Sequence, residues 1–385
     1  MNLIFLIEFI LNMKYNKWEI KSEIDQVNLL LKVTAFFWAI MKLWTYKKWI
    51  VDRLYPVIPT FDFLENIPGF VHSVLFCSSL VFLSLIFFKQ EKRLIILLFL
   101  FSEVLSCLLD VVRWQPWEYM YLCIFGVILI NYRKPKNIII LIHLFLVSMY
   151  LFSGLHKMNR VFLNDVWVNT ILIDLLGISL DTVLKYKLFF IGLIIPFFEV
   201  LFAGLLLFSK NKKKISFYLI AIHLAVLIIL GPFGLNFNSV IWFWNLALIF
   251  VLIILYNKPF EIIGAKNILI HNFYWLILWF VMPVFSFFGR WYQYLSFNLY
   301  SGKGEQMYIY FLRKDFVKSE FGSITIYNHK PSVNLHNWAM KELNSAPIPE
   351  MEVYLKIGEE IKKRYGKDHV KVILYNSANK KITEL

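Results

Sequence analysis

The sequence predicts an all-α polytopic membrane protein of about nine transmembrane helices, with a small soluble α+β appendage at its C-terminal end. Three observations lead there. Of 385 residues, 59% are hydrophobic and 18% aromatic while only 17% are charged, an apolar excess beyond that of soluble globular domains. The apolar residues gather into runs near the roughly 20 residues that a helix needs to cross the hydrocarbon core. From residue 303 onward the pattern turns charged and mixed.

In chain order, the run at 3–11 is short, contains Glu8 and lacks a small-residue cleavage site. Residues 1–26 therefore read as a membrane-surface segment, not a signal peptide. Candidate spans follow at roughly 27–46, 67–88, 94–112, 118–132, 137–156, 188–208, 215–231, 239–256 and 268–288, the fourth of them short. Between the fifth and sixth, residues 166–180 are apolar but too few to span, and Trp167 anchors them as an interfacial or re-entrant helix. Residues 27–290 thus form a helical membrane domain and 291–385 a tail. Within the tail, β-like runs at 307–311, 323–327 and 370–375 accompany helix-like stretches at 333–343 and 351–365.

The formal charge of +14 is not a nucleic-acid footprint, because the cations cluster between apolar runs. Lys89, Lys92 and Arg93, then Arg133, Lys134 and Lys136, then Lys210, Lys212, Lys213 and Lys214 look like cytoplasmic loops under the positive-inside rule. That rule puts the N-terminus inside and the tail outside, with Lys47, Lys48, Arg53 and the 156–187 connection as exceptions. Cys77, Cys107 and Cys123 lie in apolar runs with no C-x-x-C pair, which argues against a disulfide framework and a thiol oxidoreductase. No H-E-x-x-H, P-loop or G-x-G-x-x-G context occurs, so no metal site, NTPase or nicotinamide enzyme is expected.

Charges inside apolar helices are costly and tend to mark function. On the fifth span His143, Tyr150 and Lys157 are seven apart and so share one helix face, with Ser153 and Gly154 between the last two. On the third, Glu103 and Asp110 repeat that spacing, and Arg113 lies three residues beyond, within reach of an ion pair. Glu199 on the sixth span and His223 on the seventh add two more ionisable groups. Groups on four spans predict one shared interior site able to move protons. A snorkelling Lys157 and a structural ion-pair network account for the same residues and stay open at this point. Two aromatic-polar turns, 113–118 around Arg113 and 231–245 ending in Asn245, fall on the same face as Lys157 and predict a mouth into the bundle.

The segment Gly154-Leu155-His156-Lys157-Met158-Asn159, preceded by Tyr150 and followed by a Trp-containing amphipathic stretch, resembles the vitamin K-dependent gamma-carboxylase-like family of membrane proteins, also described as the horizontally transferred transmembrane domain (HTTM) family. The resemblance covers roughly 30–290. It implies that Lys157 is the base that deprotonates a reduced, vitamin K-like quinone, with His156 and Tyr150 tuning or positioning it. His143, Glu103, Asp110, Arg113, Glu199, His223 and Asn245 would line the cavity. It further implies a bacterial cytoplasmic membrane protein whose partners are the bilayer, a quinone and a peptide or small-molecule substrate. Two departures stand out: His156 occupies a position where the eukaryotic enzymes carry a second lysine, and a tail of about 80 residues replaces their large lumenal region. The turn around Arg113 also resembles DoxX-like membrane proteins, which implies the alternative of a non-catalytic scaffold, redox partner or assembly component.

Overall fold

The structure is a computed structural model. It describes residues 20–385 apart from 90–92, 260–264, 303, 314–315, 317, 319–320 and 328–329. Most of the expected N-terminal surface segment therefore lies outside the described residues. Its expected end at residue 26 moves, because α1 (Glu23–Trp44) already starts at Glu23. Ser22 and Asp25 fix that start as a capping box, Ser22 N–H donating to Asp25 Oδ2 at 2.9 Å and Asp25 N–H to Ser22 Oγ at 3.1 Å.

Seven further helices complete the bundle: α2 (Gly69–Lys89), α3 (Arg93–Leu109), α4 (Pro116–Ile130), α5 (Pro135–Lys157), α6 (Ile194–Phe208), α7 (Lys212–Leu230) and α8 (Val240–Leu255). Pro116 and Pro135 open α4 and α5 at the first turn, where a missing N–H leaves no bond unmade. Gln26 on α1 closes the far end of α8, its amide donating to the Ile254 and Leu255 carbonyls at 2.9 and 2.8 Å.

Five described helical stretches are long and apolar enough to cross a membrane: Glu23–Trp44, Gly69–Phe88, Pro135–Lys157, Leu188–Phe208 and Lys212–Leu230. The chain thus reads as a multi-pass membrane protein, with fewer membrane-length helices than the nine expected. Burial ranks them. In α5 83% of the apolar window is buried within protein, against 22% in α2 and α7, so α5 is the central helix and the other two present Phe70, Val74, Val81, Phe88, Phe217 and Ile228 outward.

The expected ninth span, 268–288, is broken. It divides into Lys266–His271, Phe273–Leu276, a π-helical turn Ile277–Val281 and Met282–Ser286. Pro283 has no N–H to give the carbonyl four residues back, that of Trp279. The Ser148 hydroxyl of α5 donates to that carbonyl instead. At the other break, Asn272 accepts a 3.0 Å bond from Asn131. Buried polar partners therefore hold the interruption in place. The expected interfacial helix after α5 is a π-helical segment, Phe162–Leu175, followed by the short helix Leu180–Lys185.

The tail is α+β. Strands β1 (Glu305–Phe311), β2 (Ile324–Tyr327), β3 (Lys330–Asn334), β4 (Val370–Asn376) and β5 (Lys381–Glu384) form an antiparallel sheet in the order β2-β3-β1-β4-β5. Helices α9 (Leu335–Leu343) and α10 (Met351–Tyr365) lie against it. α9 begins two residues later than expected because Val333 pairs with Ile309 in the sheet.

This tail is more than an appendage. Its core, built on Met307, Ile309, Trp338, Ile357 and Val372, also takes in Tyr55, Ile58, Val111 and Val112 from the α1–α2 and α3–α4 connections. Glu342 on α9 accepts the backbone N–H groups of Leu54 and Tyr55 at 2.6 and 2.8 Å. Asn344 donates to the Trp44 carbonyl at 3.0 Å, and Asn159 to that of Ser301 at 3.0 Å. The ends of α1, α3 and α5 and the tail thus meet at one face of the bundle, the face on which the sequence placed Lys157.

Candidate active site

Lys157 is the last residue of α5, and Gly154 determines what it can reach. A Cβ at Gly154 would lie 2.8 Å from the Pro196 carbonyl and 3.0 Å from Glu199 Cβ. With glycine there, α5 and α6 approach closely, and the Lys157 ammonium comes within 2.8 Å of both carboxylate oxygens of Glu199. The Ser153 hydroxyl, one turn back, accepts a third bond at 2.7 Å. The two side chains are 11% and 9% exposed, so the pair is largely out of water, and what exposure remains faces a cavity.

That cavity, about 90 Å³, is lined by Tyr150, Ser153, Lys157, Glu199, His223 and Asn245 together with apolar and aromatic side chains. A polar chain crosses its wall. The Asn245 amide nitrogen donates to the Ile241 carbonyl at 2.8 Å, which leaves Asn245 Oδ1 facing His223 Nδ1 at 2.7 Å. An amide oxygen only accepts, so Nδ1 carries a proton, and in the neutral ring Nε2 then accepts from the Tyr150 hydroxyl at 2.7 Å. The neutral imidazole is thereby held in one tautomer.

Phe297, Leu299 and Tyr300 line the cavity from the tail side. Phe297 and Tyr300 sit at φ 55° and 53°, the left-handed region that costs a residue other than glycine about 1–3 kcal/mol. Asn238 holds this strap by donating to the Tyr300 hydroxyl at 2.8 Å.

The expectation of one shared site is corrected: the polar groups divide into separate clusters. Glu199, His223, Asn245, Tyr150 and Lys157 come together. Glu103 instead meets Lys42 of α1 at 2.7 Å, with both side chains buried, and Glu118 accepts from Trp38 Nε1 at 2.7 Å. Asp110 leaves the helix, turns to φ −156° and caps the short 3-10 turn Val111–Arg113. Its closest partner is Arg53 at 2.5 Å, and the expected pair with Arg113 is present but looser, at 3.8 Å. Arg113 donates to the Lys48, Trp49 and Ser106 carbonyls and to His72 Nδ1, tying the α1–α2 connection to the α3–α4 turn. His143 bonds the Tyr256 hydroxyl at 2.8 Å. It lies fourteen residues before Lys157 on α5, about 21 Å along the axis.

His156 also departs from expectation. Its ring stacks on Phe287 at 4.3 Å and its Nε2 meets the Ser286 hydroxyl at 3.0 Å, so it clamps the broken ninth helix and does not line the Lys157 cavity. Sequence reasoning missed Lys42, Arg53 and Glu118, although a lysine inside the apolar run 27–46 carries the same signal that singled out Lys157. Nothing in the sequence marks Phe297 or Tyr300 as cavity residues. No protein-family model, curated protein or solved structure matches this chain.

Proposed function

We propose that the protein is a membrane-embedded enzyme of the acid–base kind, with Lys157 and Glu199 as its proton-exchanging pair. The observation that carries this reading is the ammonium held 2.8 Å from both Glu199 oxygens at the wall of a cavity it shares with Tyr150, His223 and Asn245. Passing one proton from Nζ to the carboxylate yields a free amine and a neutral acid side by side, and the reverse transfer restores the ion pair. Ser153 keeps the nitrogen in place through that exchange. The Tyr150 hydroxyl donates its proton to His223 Nε2 and leaves its oxygen as an acceptor at the wall of the same cavity.

The gamma-carboxylase-like resemblance makes Lys157 the base and a quinone the cofactor, in a bacterial cytoplasmic membrane with the tail outside. The residues suit proton chemistry on such a molecule, but the space does not. About 90 Å³ is room for roughly three waters, whereas ligand pockets run to about 300–1,000 Å³. The cavity as folded is smaller than the pockets that usually hold such a molecule. Movement of the strap that carries Phe297, Leu299 and Tyr300 would enlarge it for an organic substrate.

A second reading, the scaffold or assembly component, is favoured by the tight α5–α6 approach at Gly154, which makes the ion pair a helix clamp. The test is purification in detergent followed by lipid and quinone extraction, with a complementation assay in the source cells. Under the enzyme reading Lys157→Arg, which keeps the charge and removes the readily exchanged proton, abolishes complementation while the protein still inserts. Full complementation by Lys157→Arg would sink it. Absence of any bound or bindable quinone would remove the carboxylase-like form and leave the acid–base pair.

A further inference from the structure

At the end of the bundle away from the tail, a crevice of about 300 Å³ opens between the first turns of α1, α3 and α5 and the last turn of α4. Ile24, Val27, Leu31, Ile96, Ile128 and Ile138 make its interior apolar. At its mouth the α4–α5 turn is closed by Lys134 N–H donating to the Asn131 carbonyl at 2.8 Å, with Arg133 at φ 63°. A non-glycine residue adopts that conformation at a cost. Here it brings the guanidinium to the crevice rim, 5.6 Å above the Tyr132 ring.

Arg133, Lys134 and Lys136 are exposed, and none of them forms an ion pair with an acid among the described residues. Asp25, at the same end, is already engaged by Ser22. An apolar slot with three cations within four residues of its mouth is complementary to a molecule with a long hydrocarbon part and an anionic head. A free phosphate would leave the slot unfilled, and a neutral lipid would leave the cations without partners.

We propose that this crevice binds one acyl chain of an anionic phospholipid, whose phosphate is held by Arg133 and Lys134. Each cation near a lipid surface is worth about 1 kcal/mol, so removing one weakens binding about fivefold and removing two about thirtyfold.

The experiment uses the full chain in neutral detergent. Phosphatidylglycerol or phosphatidylcholine is titrated in, and bound lipids are counted by native mass spectrometry. The expected result is one tightly held phosphatidylglycerol, about fivefold weaker in Arg133→Gln and about thirtyfold weaker in Arg133→Gln/Lys134→Gln, with unchanged elution on size exclusion. Glycerol phosphate, the head without the chain, is expected not to compete. Ile128→Trp, which fills the slot, is expected to displace the lipid with the cations intact, and Ile128→Phe serves if the larger side chain prevents folding. Equal retention of the two lipids, undiminished binding in the double variant, or competition by glycerol phosphate would each overturn the proposal.

Discussion

Replacing Lys157 and Glu199 singly and together separates what the pair does for the fold from what it does for chemistry. Lys157→Met removes the cation 2.8 Å from the Glu199 carboxylate and leaves that acid buried. Breaking a buried ion pair from one side costs about 3–5 kcal/mol. The lower end applies here, because each side chain is about one-tenth exposed and the adjoining cavity has room for roughly three waters to solvate the remaining charge. Glu199→Leu strands the ammonium with Ser153 as its remaining close partner among the described residues, at a similar cost of about 3 kcal/mol. The double variant places two apolar side chains of comparable volume in contact and removes both charges, a change that is often neutral or stabilising. It is expected within about 1 kcal/mol of the parent, far from additive. Equilibrium unfolding in mixed detergent micelles, followed by tryptophan fluorescence, measures all four proteins. Single variants costing under about 0.5 kcal/mol, or a double variant as unstable as the two singles combined, would refute the ion pair. Function then divides the two readings. An enzyme stays inactive in the stable double variant, whereas a scaffold regains its role with its fold.

Three further outcomes follow from named contacts. Gly154→Val drives a side chain against the Pro196 carbonyl and Val200, so α5 and α6 separate at a cost of about 1–3 kcal/mol, read in the same unfolding assay. Glu342→Ala leaves the Leu54 and Tyr55 N–H groups and Trp338 Nε1 without their acceptor, each unmade bond costing about 1–3 kcal/mol. The check is faster amide exchange at Leu54 and Tyr55 and earlier proteolysis of the tail. Burial, with Glu352 nearby, pushes the Glu350 carboxyl up to about 7 against the opposing bond from Gln293 N–H. A raised acid binds its proton more tightly folded than unfolded. Its stabilising contribution is therefore complete below the ordinary carboxylate range, declines as pH rises and is gone above about 7. The tail is expected to be more thermostable at pH 5 than at pH 8 through this group, with Glu350→Gln reducing that difference.

How much of this was legible depends on which interaction decides each feature. Helix positions were legible because long apolar runs favour helices in a membrane, and the first eight runs each became a helix within a few residues of expectation, although only five described stretches are of membrane length. The ninth run was not, because its breaks depend on Ser148 and Asn131, partners more than a hundred residues away. In the tail, β1 and β4 alternate buried with less buried residues, whereas β5 is exposed at every position and gives no period to read. The site shows the same division more sharply. Heptad spacing correctly gathers Tyr150 and Lys157 on one wall, but it fixes only which face of a helix a group occupies, not which helix stands opposite. Glu103 faces α1 and so finds Lys42, and Asp110 unwinds to take Arg53. Glu103, Asp110 and Glu199 each took a cation from a neighbouring element, whereas Glu118 settled for Trp38 Nε1. The Lys157 cavity is distinguished because the pair there also borders space and a second polar chain. The Lys42–Glu103 pair, at 0% and 1% exposed, lines no cavity described in the bundle. Access to a cavity, and not the presence of a buried lysine, is what makes Lys157 the candidate for chemistry and Lys42 a candidate for structure. The corresponding expectation is that Lys42→Met with Glu103→Leu preserves function along with the fold, where the same exchange at Lys157 and Glu199 does not.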